Sequence, residues 1–430
     1  MTTSRRAFLA GTGLFAGRLL AAAEKRTPPM PRLDDWGAVR AQFRLSKEHA
    51  NFAGFYIASH PAPVRAAIDA WRLALDENPF LVVEHNMFES EAENAQRKVR
   101  ELVAEYLGGK QEEIALTPNT TTGLALVYHG LPLKPGDEVL CTTHDHVVHH
   151  ESIRLSCERN GASARRFAMF DDAATATVDG IVARVKENLR PNTRVLGITW
   201  VHSSTGMRLP VRQIADALKG TGVLLVVDGV HGLGAVDETV ADMGADFFSA
   251  GAHKWMFAPR GTGIVWARAE NWARLRPLIP SFSDLELYDA WADGRTIRGP
   301  TNANRISPGG FLAYEHQWAM GAAFGMHKQI GRARIAKRIA ELNGRIKDGL
   351  AGMKGVTLHT PRDAGLAAGI CCFEVQGLAP DAVVKKLLEK RIVASSSPYK
   401  VSYARLSASI FNTPEEVDRA LAAVRELAAA

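Results

Sequence analysis

The sequence predicts an α/β protein: a mostly parallel sheet between helices, followed by a smaller α/β domain. Three observations lead there. Short apolar runs alternate with helical patterns from about Ala115 to Trp266, the rhythm of strands joined by crossover helices. The run Leu224 to Val227 is wholly apolar and stops abruptly at Asp228, as a parallel strand buried on both faces does. The chain has 430 residues, 46% of them hydrophobic and 23% charged, enough apolar material for two cores.

The elements follow in order. Ser4-Arg5-Arg6-Ala7-Phe8-Leu9, the apolar stretch from Ala7 to Leu20 and Ala21-Ala22-Ala23 resemble a twin-arginine export signal over residues 1–23. This implies an exported, periplasmic protein. Arg18 interrupts the apolar stretch, and a basic amphipathic arm on a cytoplasmic protein is the alternative. Arg5, Arg6 and Arg18 account for half of the formal charge of +6. The remainder carries too weak a bias, and no basic stripe, to indicate nucleic acid. No other run reaches membrane-spanning length.

Thr27-Pro28-Pro29-Met30-Pro31 reads as a linker, within an N-terminal segment over 24–62. A large domain is expected over 63–312, with helices from about Pro63 to Leu75 and Glu91 to Leu107. Leu116 precedes Thr117-Pro118-Asn119-Thr120-Thr121-Thr122, hydroxyls at the start of an apolar helix. They serve as N-caps or, by the same geometry, as an anion site. A strand at Glu138 to Thr142 leads into His144-Asp145-His146 and His149-His150, a cluster that also admits a metal. Further strands are expected at Val195 to Val201 and Ile264 to Trp266, with a helix from Leu209 to Leu218. Gly232-Leu233-Gly234 lacks the third glycine of a dinucleotide loop, since Asp237 stands there. Leu312 to Met353 forms a long amphipathic pattern. The small domain, 313–430, should hold strands at Thr357 and Ile370 to Val375, a helix from Ala379 to Lys390, and a last helix opened by Thr413-Pro414-Glu415-Glu416. Four cysteines, Cys141, Cys157, Cys371 and Cys372, lack metal-site spacing.

The chemistry is concentrated in DGVH…SAGAHKWMFAPRGTG, residues 228 to 263. Ligands of open α/β sheets bind just past the carboxyl ends of strands, and Asp228 and Lys254 stand at such places. Pyridoxal 5'-phosphate needs both: an amine for its aldehyde, as a Schiff base, and a carboxylate to keep its ring nitrogen protonated. A structural ion pair is the plainer reading of an Asp…Lys pair; the combined motif is far more specific.

With those residues in view, the chain resembles the class V aminotransferase family of fold-type I pyridoxal-phosphate enzymes. HKW followed by APRGTG is most similar to the isopenicillin-N-epimerase-like branch, with cysteine desulfurases more distant. The resemblance runs from about Asn51 to the C-terminus. It implies a seven-stranded type of sheet in the large domain and a homodimer, with the turn-rich region Arg298 to Phe311 reaching the partner's site. It implies that Lys254 is catalytic, that Thr120, Thr121 and His253 hold the phosphate, that His146 stacks on the ring and that His231 contacts the ring oxygen. Arg405 would take a substrate carboxylate, and the Asn51 segment would border the substrate pocket. Ser203 stands where desulfurases carry asparagine, and Gly251 where they carry serine. The implied function is pyridoxal-phosphate chemistry on an amino-acid or small peptide-like substrate, by epimerisation or transamination. Alternatives are a carbon–sulfur lyase and a binding protein that has lost turnover. The interval Ile392 to Ala404 contains no cysteine, which argues against a persulfide-forming desulfurase.

Overall fold

A computed structural model describes residues 27–89 and 94–429. The expected export signal, residues 1–23, and the start of the helix expected from Glu91 lie outside them.

In chain order, strand β1 is Ala50–Asn51, followed by helices α1 (Ala62–Glu77) and α2 (Ala95–Leu107). Then come β2 (Ile114–Thr117), α3 (Thr120–Gly130), β3 (Glu138–Thr142), α4 (Val147–Asn160) and β4 (Ser163–Phe167). The large domain continues with α5 (Val178–Asn188), β5 (Thr193–Thr199), α6 (Val211–Ala217), β6 (Leu224–Asp228), β7 (Phe247–Gly251) and β8 (Gly263–Ala267). These seven strands form one sheet in the order β2-β8-β7-β6-β5-β3-β4. Pairings from β7 through β4 are parallel, and β8 alone runs against both of its neighbours. All of β2, β3, β7 and β8 is buried. Helices cover both faces, which is why these strands read as unbroken apolar runs. One core unites Leu196, Ile198, Val227 and Phe248 with Val99, Val103 and Phe324. The other sheet face packs Val139, Val195, Val226 and Phe247 against Leu124, Val127 and Ile153.

The amphipathic pattern expected to be continuous from Leu312 to Met353 is two helices, α7 (Tyr314–Ile330) and α8 (Arg332–Ala351). Gly331 breaks it, with φ 92° and ψ 124°, a backbone that suits glycine and not an L side chain. Both helices contribute to the large-domain core, α8 through Ile335 and Ile339. Met320, Ala323 and Phe324 of α7 belong to the large-domain core, so that body continues past residue 312. From α8, Leu342, Ile346 and Leu350 enter the small-domain core.

The small domain holds β9 (Val356–Leu358), β10 (Cys371–Val375), α9 (Pro380–Glu389), β11 (Ile392–Val393), β12 (Ser395–Ser396), β13 (Ala404–Leu406) and α10 (Pro414–Ala429). Its sheet is antiparallel, in the order β12-β13-β10-β9. The N-terminal segment is tied to it: β1 pairs in parallel with β11, Ala50 against Ile392 and Asn51 against Val393. All four cysteines are buried and unpaired. No described helix is long and apolar enough to cross a membrane.

Candidate active site

Parallel strands joined by crossovers end on the same edge of the sheet. On that edge β5 ends at Thr199, β6 at Asp228 and β7 at Gly251. The loops that follow carry Ser203, His231, His253 and Lys254. α3 begins there as well. These elements enclose a cavity of about 140 Å³ lined by Thr120, Thr121, His146, Asp228, His231, His253 and Lys254, together with Asn119, Ser203 and Tyr399. Seven residues spread over 134 positions of sequence thus meet only because the sheet order places β7, β6, β5 and β3 side by side.

Asp228 is buried, and its Oδ1 accepts the Val230 N–H at 3.1 Å. Burial pushes its carboxyl above the ordinary range, opposed by His149, the Val230 N–H and Lys254. Lys254 lies 3.1 Å from Nε2 of His231. Burial lowers the Lys254 amine to about 8; Asp228 opposes the shift and Arg405 adds to it. His231 is held well below its ordinary value by burial and then by Lys254, so its ring is neutral beside the lysine. An amine brought this close to neutrality, beside a desolvated carboxylate, is suited to a carbonyl compound that carries its own cation. The turn after Lys254 is strained. The Phe257 N–H donates to the Lys254 carbonyl at 3.0 Å, and Phe257 has φ 57°, the left-handed region that costs a side chain about 1–2 kcal/mol. Phe257 is fully buried, so packing holds that turn.

The other wall is built for an anion. The Asn119 side chain caps α3 by accepting the Thr122 N–H at 2.9 Å, and the first-turn N–H groups of Thr120 and Thr121 lie ahead of the intrahelical ladder. Thr120 Oγ1 accepts the Gly251 N–H at 2.7 Å, locking α3 to the end of β7. A Cβ at Gly251 would meet His253 Cε1 at 2.8 Å and Thr120 Oγ1 at 3.2 Å. The space that a serine would use is therefore filled by His253. Ser249 does not replace it: its Oγ contacts the Thr120 carbonyl at 3.5 Å and faces Gly123.

His146 caps α4, its Nδ1 accepting the Val148 N–H at 3.3 Å, which presents the ring to the cavity. The neighbouring histidines point elsewhere. His149 is buried between Tyr128 Oη at 2.6 Å and Thr199 Oγ1 at 3.4 Å, and His150 Nε2 bonds the Thr142 carbonyl at 2.7 Å. Among the described residues no three His, Cys, Asp or Glu side chains form a group that could hold a metal ion.

Arg405, from β13, is buried and is not among the residues that line the cavity; it is tied to the site through Ser203. Nη1 donates to the Ser203 carbonyl at 2.9 Å, Nη2 to the Ser396 carbonyl at 2.7 Å, and Nε to Ser395 Oγ at 3.2 Å. Its guanidinium lies 4.8 Å from the Phe55 ring centroid. Asn51 is not among the residues that line the cavity. Its Oδ1 accepts the Ala53 N–H at 2.9 Å and its carbonyl accepts Asn412 Nδ2 at 3.0 Å, so it shapes the segment that carries Phe55. Phe55 makes the contact expected of that segment, 5.8 Å from the His231 ring. Tyr399 is the residue that the sequence did not single out. Its hydroxyl is 2.8 Å from Ser203 Oγ, and its ring stands edge-on to His146 at 6.1 Å.

The buried Nδ1 atoms of His231 and His253 have no hydrogen-bond partner among the described residues, although such atoms are ordinarily satisfied. With the lysine, the carboxylate and the helix N-terminus, they form a donor set that fits pyridoxal 5'-phosphate from phosphate to ring nitrogen.

Three comparisons bear on this geometry. The sequence model described as Aminotransferase class-V matches residues 61–420. Isopenicillin N epimerase of Amycolatopsis lactamdurans is 27% identical over 334 residues, 76% of this chain and 84% of that protein. A protein named "Probable cysteine desulfurase" from Xylella fastidiosa is 26% identical over 422 residues, covering 92% and 97% of the two chains. A solved structure, described as a cystine C–S lyase in complex with its product cysteine persulfide, superposes with a TM-score of 0.77 at 23% identity, over 89% of this chain and 98% of that one. It is alike in fold.

Proposed function

The chain belongs to the aminotransferase class-V family, and from that premise we propose that it is a pyridoxal-phosphate enzyme that acts at the α-carbon of an amino-acid or small peptide-like substrate, by epimerisation or transamination. The observation that carries the reading is the meeting of Lys254 and Asp228 in one cavity at the ends of adjacent strands, with the lysine amine lowered to about 8. Bound there, the cofactor supplies an electron sink for the charge left when the α-carbon loses its proton.

The chain's own groups do the rest. Lys254 holds the cofactor through its amine and then takes the α-proton at Nζ. Asp228 holds the proton on the ring nitrogen. Thr120, Thr121 and His253 would bind the phosphate, His146 would cover the ring, and His231, beside Lys254, would contact the ring oxygen. Arg405 spends one N–H of each terminal nitrogen inside the chain, which leaves one on each for a carboxylate to accept side by side.

A carbon–sulfur lyase is the second reading, supported by the relatives named as desulfurases. It uses the same proton removal with a sulfur leaving group. The persulfide route is disfavoured because burial pushes the thiols of Cys141 and Cys372 up to about 12 and that of Cys157 up to about 11. None of these three lines the cavity.

The test is a screen of D- and L-amino acids with the cofactor-loaded enzyme and with Lys254→Ala. Products separate the readings: the opposite enantiomer, a 2-oxo acid, or sulfide. Equal turnover by enzyme and variant, or no substrate-dependent change in cofactor absorbance across the panel, sinks the proposal.

Two further parts belong to the reading. Exposed Trp291, Phe311 and Phe80, at 81%, 78% and 68% exposure, support a homodimer, since large apolar side chains are seldom left so open; sedimentation giving a monomer would refute it. Arg5-Arg6 supports twin-arginine export. Normal export of the Arg5→Lys/Arg6→Lys variant would refute that.

A further inference from the structure

We infer that Tyr399 is a second catalytic residue, which protonates the substrate α-carbon on the face opposite Lys254 and so makes epimerisation the reaction of this site; the inference rests on the function proposed above.

The sheet order carries the placement. Lys254 follows β7, Asp228 ends β6, Ser203 follows β5 and His146 follows β3, and these strands are consecutive neighbours. Lys254 therefore stands at one end of the row. Tyr399 contacts the two residues at the other end: Ser203 through its hydroxyl at 2.8 Å and His146 through its ring edge at 6.1 Å. Lys254, Asp228 and Tyr399 all line the same cavity.

The tyrosine is held there by a closed loop. It lies between the paired strands β12 and β13. The Ser397 N–H donates to the Tyr403 carbonyl at 2.9 Å, the Tyr403 N–H donates to Ser397 Oγ at 2.9 Å, and Ser402 Oγ donates to the Ser397 carbonyl at 2.6 Å. A phenol fixed in this way needs no reorganisation to reach a substrate. Burial raises the Tyr399 hydroxyl to about 12, with Ser203 and Arg405 opposing. The group is thus a protonated donor that two neighbours help to carry charge for a moment.

The step balances. Lys254 Nζ takes the α-proton, and the C–H electron pair stays on the substrate. Tyr399 Oη gives its proton to the same carbon from the other side, forming the new C–H bond and leaving the charge on Oη. Ser203 Oγ–H stabilises that oxygen until the proton held by Lys254 returns to it through water. In the opposite direction the two residues exchange roles, as inversion in both directions requires.

Glycine tests this without knowledge of the natural substrate, because its two α-hydrogens report the two faces. In deuterium oxide the cofactor-loaded enzyme should exchange both hydrogens, followed by proton NMR. Tyr399→Phe should exchange one at the parental rate and the other about a hundredfold more slowly or worse. Ser203→Ala should slow only that second exchange, by less. Lys254→Ala should exchange neither. Circular dichroism and cofactor absorbance of Tyr399→Phe should match the parent. The inference is overturned if Tyr399→Phe exchanges both hydrogens at parental rates, or if it slows both equally, which is what a merely structural tyrosine would do. An enzyme that exchanges neither hydrogen contradicts the proposed function itself, and the inference with it.

Discussion

Replacing Arg405 by leucine removes a guanidinium whose terminal nitrogens each keep one donor for a ligand after binding the Ser203 and Ser396 carbonyls. Losing a desolvated, hydrogen-bonded partner of a carboxylate costs about 2–5 kcal/mol, equivalent to roughly thirtyfold to several-thousandfold in affinity. The loss should fall on the substrate carboxylate and not on the cofactor, since Arg405 is not among the residues that line the cavity with Lys254 and Asp228. The assay compares an amino acid with its amide, which keeps the amine and the α-hydrogen but lacks the carboxylate. The parent should favour the acid by that factor in kcat/KM, and Arg405→Leu should treat acid and amide alike. Arg405→Lys, which keeps the charge without the planar fork, should fall between. The cofactor dissociation constant should stay within a fewfold of the parent. If Arg405→Leu discriminates acid from amide as the parent does, Arg405 does not bind the substrate carboxylate.

Other outcomes follow from the same geometry. Burial lowers Lys254 to about 8, and only the free amine captures an aldehyde, so cofactor capture by the apoenzyme should rise with pH and level off above about 8. Asp228→Asn should move that midpoint down and Arg405→Leu should move it up, because Asp228 raises and Arg405 lowers the amine; midpoints unmoved by either variant would contradict the electrostatic account. Gly251→Ala puts a Cβ at 2.8 Å from His253 and should cost about 1–3 kcal/mol of cofactor affinity, roughly fivefold to a hundredfold, read by equilibrium titration; unchanged affinity would show that His253 and Thr120 do not form the phosphate wall. Supplying cysteine should leave no persulfide on any of the four buried thiols in non-reducing mass spectra, and a Lys254-dependent sulfur adduct would contradict this.

Much of the site could be read from sequence because it sits at strand ends. Leu224 to Val227 announces a buried strand, and the change to Asp228 marks the point where the strand ends. The direction of β8 could not be read, since Ile264 to Trp266 is equally apolar either way; in the structure the loop over residues 252–262, which carries Lys254, returns it antiparallel beside β7 without a crossover helix. The break at Gly331 was hidden because apolar spacing continues through it, and only the backbone at that glycine turns α7 into α8. Tyr399 was hidden for a different reason. It lies in an irregular loop of the small domain, and its meeting with Ser203, 196 positions away, depends on how the two domains pack. Asn51 was read into the pocket from the segment around it, whereas Phe55 of that segment faces the site.

On the proposed reading Lys254 and Asp228 form one pyridoxal-phosphate site. Borohydride reduction of the purified, cofactor-loaded protein, followed by proteolysis and peptide mass mapping, tests it most directly. The reduced cofactor should be found on the peptide that contains Lys254, with none retained by Lys254→Ala. Cofactor fixed on any other lysine, or trapped equally well by the variant, would contradict it.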